Sequence, residues 1–591
     1  MCSHVFGEIS LDFPLSDSII VPTYIETVPN RNSPPAILLR KGWREGGRVR
    51  KQTLANLSDW PAHRIEALRR LLRGETLVPP ETLFTIQASR PHGHVEAILA
   101  MVHKLGLDRL LSPRPSRQRA LVLAMIVERL LGPSSKLANV RQWHCTTLAE
   151  ELGVGDAEVE ELYEALDWLL CRQETIEKSL ARRHLAEGSL VLYDVSSSYY
   201  EGATCPLAQF GHNRDGKKDR MIIVYGVLTD AEGRPVAVET YPGATGDPTT
   251  VPDQVEKLRQ RFGLSQVVLV GDRGLLTKTQ IDQLRQHPGL GWITALRSPA
   301  IRQLVEAGTL QLSLFDQQNL AEIRSPDYPG ERLVACFNPL LAEERRRKRE
   351  ALLQATEEQL ARVARDIDRR TQKPYTSVEI GAKVGRILHR FKVGKHFEWE
   401  VLDGRLRFAR RQQLIAREAA LDGIYVIRTS EPHLSSADLV RSYKRLAHVE
   451  QAFRCLKGVD LRIRPIFHRT ADHVRAHIFL CLLAYYVEWH LRKVWARFLF
   501  DDEELDEDRR QRDPVAPARP SAAAETKKRL RTTPEGWPIH SFRTLLKDLS
   551  TRCRNTFAPQ SEALEGATFQ QLTEPTPFQA QALKLIELFP G

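Results

Sequence analysis

Apolar residues recur three and four apart through VEAILAMVHKLGL, RALVLAMIVERLL and VEELYEALDWLL. That period predicts amphipathic helices across residues 62–186. Gly132-Pro133 and Gly153-Val-Gly155 punctuate them. Residues 1–61 read instead as a small β-rich segment. TYIETV and AILLRKGW have strand character, and VRKQTLANL follows the turn Glu45-Gly46-Gly47. After Ala186 the texture changes to short apolar runs: SLVLYDV, MIIVYGVLTD, RPVAVETYPG, QVVLVGD and GWITALR. The second and third predict a hairpin around Asp230-Ala-Glu-Gly233. A helix follows QVVLVGD, with Thr277 and Gln280 at capping-box spacing. The order β-β-β-α-β-α-β predicts a mixed α/β sheet with helices packed on it.

Residues 298–430 interrupt that pattern and read as an inserted α+β subdomain. Its long charged helix, EERRRKREALLQATEEQLARVARDIDRR, carries Leu353, Leu360 and Ile367 seven apart. A helical hairpin with a solvated charged face accounts for it. FEWEVLDGRLRFAR predicts a hairpin across Asp403-Gly404, and GIYVIRT a strand. Residues 431–500 resume the α/β domain with one helix from Tyr443 to Lys457 and another from about Ala471 to Arg497. Residues 501–535 are polar and Pro/Ala-rich, so a disordered linker is expected. Residues 536–591 carry a last amphipathic basic helix and a tail. No internal repeat is evident.

The chain has 591 residues, 42% hydrophobic, with a formal net charge of +11. Such an excess favours a polyanionic partner, nucleic acid before membrane. Eight cysteines are scattered without a C-x-x-C pair, which argues against a zinc ribbon or disulfide framework. MCSHVFGEISLDF lacks the pattern of a signal peptide. The run Ile478–Val487 is too short to span a bilayer. A cytoplasmic protein with no membrane role is expected.

The helix YKRLAHVEQAFRCLK poses the chemical question, because it holds four basic residues and one acid, Glu450. On a wheel of about 100° per residue, Leu446, Val449, Phe453 and Leu456 form the core stripe. Tyr443, Glu450, Arg454 and Lys457 lie beside it, while Lys444, Gln451 and Cys455 point away. A surface salt bridge from Glu450 to Arg454 is the simplest role for the acid. Two other carboxylates change the weighing. Asp194 and Asp272 each end an apolar strand, where a sheet delivers side chains to one edge. Two unit charges about 4 Å apart repel by roughly 4 kcal/mol at an effective dielectric near 20. Three ionised carboxylates that converge therefore need protons or cations. Hard divalent ions such as Mg²⁺ supply them, and paired ions can drive phosphodiester chemistry.

With these residues the chain resembles the DDE transposases of prokaryotic insertion sequences, which have an RNase H-like catalytic core. It is most similar to the subgroup with a Tyr-x2-Arg-x3-Glu-x6-Lys signature. Tyr443, Glu450 and Lys457 match that spacing. The arginine position holds Leu446, with Arg445 one residue earlier and Arg454 on the same stripe. LVLYDVSSSYYEG and VVLVGDRG resemble the motifs of the two aspartates, and GHNRDGKKDRMIIVYGVLTDAEGRPVAVETYPGATGDPTT the strands and loop between them. The acids are spaced 272 − 194 = 78 and 450 − 272 = 178 residues apart. The resemblance spans about Leu190 to Leu491. It implies that Asp194, Asp272 and Glu450 bind two Mg²⁺ or Mn²⁺ ions. It implies that they nick double-stranded DNA at element ends and join the freed 3′-OH to target DNA. Tyr443, Arg454 and Lys457 would then grip phosphates, with Arg273, Arg214, Lys217 and Lys218 as further DNA contacts. A homodimer pairing two terminal inverted repeats in a nucleoid-associated complex is also implied.

Two alternatives stay open: an RNase H-like nuclease without strand transfer, and a transposase-derived DNA-binding protein without catalysis. The helices of residues 62–186 and the basic hairpin near Arg44 to Lys51 either read DNA ends or serve structure and dimerisation. For Arg214, Lys217 and Lys218 a solvated turn is the alternative to DNA contact. His473 and His477, at i,i+4, have metal-ligand spacing without a third ligand, and ordinary helix histidines explain them.

Overall fold

The structure is a computed structural model and describes residues 22–31, 33–75, 84–217, 219–316, 318–370, 372–516, 519–560 and 568–590. It divides into two units, residues 1–89 with 555–571, and residues 90–554 with 572–591.

In the first unit β1 (Thr23–Val28), β2 (Ala36–Glu45) and β3 (Arg48–Asn56) pair antiparallel in chain order. The helix Ala62–Leu72 packs on β1 and buries Ile65. The β-rich segment therefore extends past the expected limit at residue 61. A further strand, β4 (Phe84–Pro91), interrupts the stretch expected to be all helical. Residues 1–21, including MCSHVFGEISLDF, lie outside the described residues.

The second unit opens with helices that bury the predicted apolar stripes, Gly93–Lys104, Arg117–Leu131 and Val159–Leu170 among them. The central sheet follows. β5 (Ser189–Tyr199), β6 (Ile222–Thr229), β7 (Pro235–Pro242), β8 (Val267–Val270) and β9 (Leu290–Ala295) are the five predicted strands. β6, β8 and β9 are buried at every position, as uninterrupted apolar runs covered on both faces must be. β10 (Leu320–Ile323), β11 (Arg332–Phe337) and β14 (Ile424–Thr429) come from residues 298–430. They extend the same sheet, in the order β10-β11-β14-β9-β8-β5-β6-β7. Only part of the expected insertion is thus separate from the sheet. That part has its own core, where Leu353, Leu360 and Ile367 pack against Ile380 and Val384. It joins the helices Pro339–Arg369 and Ser377–Phe391 to the hairpin β12 (Phe397–Leu402) and β13 (Arg405–Arg410). Asp403 and Gly404 take φ of 51° and 74°, as the two-residue turn requires.

β5 pairs parallel with β8 and β8 with β9, and the other pairings of the sheet are antiparallel. The helix Ala471–Val494 is buried along most of its length. The polar stretch 501–535 is not the disordered linker its composition predicts. It forms the helices Leu505–Gln511 and Ala522–Leu530 and buries Val515. Its backbone carbonyls are caught by side chains elsewhere, which a composition cannot reveal. Lys444 Nζ donates to the carbonyls of Pro514 and Ala516, and Arg441 to those of Arg509 and Arg510. The second unit also holds the basic helix Phe542–Leu549 and a final helix, Pro577–Leu588. The chain re-enters the first unit between them, where β15 (Cys553–Pro559) joins β4 and β16 (Phe569–Leu572) in a three-stranded sheet.

Candidate active site

The parallel ladder between β5 and β8 runs from Ser189 opposite Val267 to Leu192 opposite Val270. Two residues further on stand Asp194 and Asp272. Neighbouring strands lie about 4.8 Å apart, so the ladder register sets these carboxylates side by side. β8 ends there. The Asp272 carbonyl accepts from the N–H groups of Leu275 and Leu276, at 3.0 and 3.0 Å, and turns the chain toward the helix Lys278–Leu284.

Glu450 arrives from the other direction. The expected single helix is two segments, Ser436–Lys444 and Leu446–Arg454, followed by a π-type turn, Cys455–Val459. Leu446–Arg454 packs on β5, and Phe453 meets the Tyr225 ring at 5.8 Å. Val449, Phe453 and Leu456 are buried and Glu450 is exposed beside them. Cys455 was expected to point away. It is buried, because the wider π turn rotates it inward. Gly233 lets the β6–β7 turn approach this helix: at its φ of 82° an added Cβ would stand 2.6 Å from His448 Cβ.

Asp194, Asp272 and Glu450 line one cavity of about 700 Å³, with Arg214, Asp215, Asp247, Arg454, Lys457 and Arg464. Burial pushes the Asp194 carboxyl up to about 7, against the Val195 N–H, and the Asp272 carboxylate adds to the rise. Burial also raises the Tyr443 phenol, and Asp272, Glu450 and Asp194 each raise it further. Tyr443 thus feels all three acids.

The cavity's charges are divided unequally. Asp247 pairs with Arg214. Asp215 accepts from Lys457 Nζ at 2.9 Å, from Arg464 and from the Tyr199 N–H at 3.1 Å. Among the described residues Asp194, Asp272 and Glu450 form no ion pair. The salt bridge weighed for Glu450 and Arg454 is not made.

A family model described as the transposase DDE domain matches residues 187–487, half of the chain. The chain belongs to the DDE transposases. A second model, the N-terminal domain of IS1634 family transposases, matches residues 25–79. No curated protein matches. Among solved structures, a piggyBac transposase synaptic complex with hairpin DNA is similar at 10% identity, over 77% of each chain, with a TM-score of 0.33. The mixed sheet flanked by helices is the RNase H-like arrangement this membership implies, and the family depends on divalent metal.

Arg454 lines the cavity, exposed and without an ion pair among the described residues. Lys457 is at the cavity but already bonded to Asp215. Arg214 is bonded to Asp247. Lys217 stands 5.2 Å above the Tyr199 ring. Lys218 lies outside the described residues. Arg273 is exposed and lines an adjoining hollow of about 800 Å³, with Lys278, Arg285, Arg297 and Arg428. His473 pairs with Asp167 at 3.3 Å, and His477 is buried against His468 at 4.8 Å between rings. No helix of the described residues is long and apolar enough to cross a membrane.

Sequence reasoning passed over Asp215, Asp247 and Arg464. Asp215 sits in a loop and Asp247 opens a short 3-10 turn, Asp247–Thr250, neither of which has a periodic pattern. The one available signal was an aspartate embedded between Arg214 and Lys217 in a strongly basic stretch. Another acidic group, Cys455, Asp460 and Glu488, has ligand atoms within 4.8 Å of one another. Arg492 bonds Glu488 at 2.7 Å and Asp460 at 2.8 Å and supplies the positive charge there.

Proposed function

We propose that this transposase cuts DNA at the ends of its own insertion element and joins the freed 3′-OH to target DNA at the cavity of Asp194, Asp272 and Glu450. The single observation that carries it is the division of charge. Every other carboxylate of the cavity is paired with a cation, and these three form no ion pair (among the described residues).

The donor set fits hard divalent ions, Mg²⁺ or Mn²⁺, since it is carboxylate oxygen in an open cavity. Two such ions, as phosphodiester cleavage and transfer use them, suit three shared carboxylates. When bound, they supply activation of a water or 3′-hydroxyl and stabilisation of the leaving oxygen. The chain's own residues do the rest. Asp194 and Asp272 hold their positions through the β5–β8 register, and Glu450 through the packing of Phe453 on Tyr225. Arg454, with no acidic partner, is placed to receive a phosphate, and Lys457 and Arg464 present a cationic rim beside it. The Tyr443 phenol, kept protonated, donates rather than carries charge. Cleavage and transfer occur on double-stranded DNA carrying the terminal repeats. They take place in a homodimer that pairs two ends at the nucleoid.

Alanine at Asp194, Asp272 or Glu450 should abolish Mg²⁺-dependent cleavage of DNA from the flanks of the protein's own locus. Binding of the same DNA in EDTA should persist. Full cleavage by any one variant removes that residue from the site. Pre-cut ends offered with a target plasmid test joining, and a protein that cuts but never joins is a nuclease.

A further inference from the structure

Asp215 carries a role beyond the three acids. It lies in the loop after β5, between Arg214 and Lys217, yet its side chain is only 2% exposed. It gathers three donors from three segments: the Tyr199 N–H at the end of β5, Lys457 Nζ from the π turn behind Glu450, and the Arg464 guanidinium from the stretch that follows. Its own N–H donates to Asn213 Oδ1 at 2.8 Å, which fixes the loop. Lys457 and Arg464 line the same cavity as Asp194, Asp272 and Glu450. Two mobile cations at such a place would fall onto the nearest free carboxylates. The free ones are the metal-binding candidates, and Asp215 is what those cations hold instead.

The geometry points to Asp215 as a positioning residue that ties Lys457 and Arg464 to the cavity rim, keeping them off the three acids and ready for DNA phosphate. This rests on the proposed metal site. Removing the Asp215 charge frees both cations to compete with a divalent ion. A purely structural aspartate would not act through them.

The test is Mn²⁺ binding to the full-length protein without DNA, read from the electron paramagnetic resonance of free Mn²⁺. D215N should bind Mn²⁺ about tenfold or more weakly, in the range seen when partners around a metal site are removed. Once Lys457 and Arg464 are gone, Asp215 should no longer matter. K457M/R464M and D215N/K457M/R464M should therefore bind Mn²⁺ within about threefold of each other, a coupling read as in any mutant cycle. D215N that binds Mn²⁺ as the unmodified protein does would overturn the proposal. So would a tenfold gap between the last two variants. Leaving two cations beside an amide can unfold a protein. If D215N does not fold, D215N/K457M, which frees Arg464 alone, replaces it: it should bind Mn²⁺ more weakly than D215N/K457M/R464M, and equal binding overturns the proposal. D272N is the reference. If it too keeps its Mn²⁺, the metal site itself has been misplaced. If it loses Mn²⁺ while D215N does not, only the role of Asp215 falls.

Discussion

Asp272→Asn should make the metal-free protein more stable and the metal-loaded protein less so. Asp272 is near enough to Asp194 to raise its carboxyl, about one strand spacing of 5 Å away, and neither forms an ion pair among the described residues. At that distance two charges repel by about 1 kcal/mol in water and about 3 kcal/mol at an effective dielectric of 20. Asp272 is exposed, so screening favours the lower figure. Removing one charge at pH 8, where Asp194 is ionised, should raise the melting midpoint in EDTA by about 1–2 °C for a unit this large. With Mn²⁺ at 100 times its dissociation constant the unmodified protein gains about 2.7 kcal/mol, and the variant gains little. The order of the two melting curves thus inverts between EDTA and Mn²⁺ in differential scanning calorimetry. An ordinary exposed or capping aspartate gives no inversion. A variant less stable than the parent in EDTA, or equally stabilised by Mn²⁺, would refute the convergence of unpaired acids.

Two further outcomes follow from particular groups. Asp194, pushed up to about 7 in the metal-free protein, holds a proton below that pH, and a metal must displace it. Apparent Mn²⁺ affinity should climb by about tenfold per unit as pH rises from 5.5 to 7 and level off above, since each site proton costs one power of ten. A flat profile rules out Asp194 as a ligand. Lys444→Met removes two charge-assisted bonds, at 2.5 and 2.6 Å, to the carbonyls of Pro514 and Ala516. At roughly 1.5–3 kcal/mol for a bond to a charged group, amide exchange across Leu505–Ala516 should speed by at least tenfold. Unchanged protection there would show that Lys444 does not fasten this segment.

What the sequence made legible was whatever has a period. β5 to β9 could be read because buried strands leave short apolar runs. Asp272 was legible because it follows the run of β8, whereas Asp194, expected to end its strand, stands inside β5, which continues to Tyr199. The face of Glu450 could be read from the wheel, although the π turn moved Cys455 inward. β10 and β11 escaped because LAEI and RLVACF are short, and nothing local says they add to a sheet begun over a hundred residues earlier. The segment 501–535 misled because its order rests on few apolar contacts and on carbonyls held by Lys444 and Arg441. Asp215 and Asp247 were hidden for a related reason. Their role lies in which cation each holds, and that is settled by contacts reaching back to the loop after β5 and forward to the π turn and Arg464.

The same distribution of charge makes metal and DNA reciprocal ligands. Five carboxylates line the cavity, Asp194, Asp215, Asp247, Asp272 and Glu450, against four cations, Arg214, Arg454, Lys457 and Arg464. Ionised, they sum to −1, a poor receptor for a phosphodiester. Two divalent ions turn that into +3. The cations cannot do so alone, because three of the four are held by Asp215 and Asp247. DNA at the site must therefore tighten metal binding, and metal must tighten the hold on DNA by the same factor, since the coupling free energy is common to both. A factor of about 5–150 is the usual scale. It can be measured twice with a cleavage-blocked DNA end, as Mn²⁺ affinity with and without DNA and as DNA affinity with and without Mn²⁺. Glu450→Gln should lower both factors together. DNA affinity that ignores Mn²⁺ would mean that the phosphates do not enter this cavity.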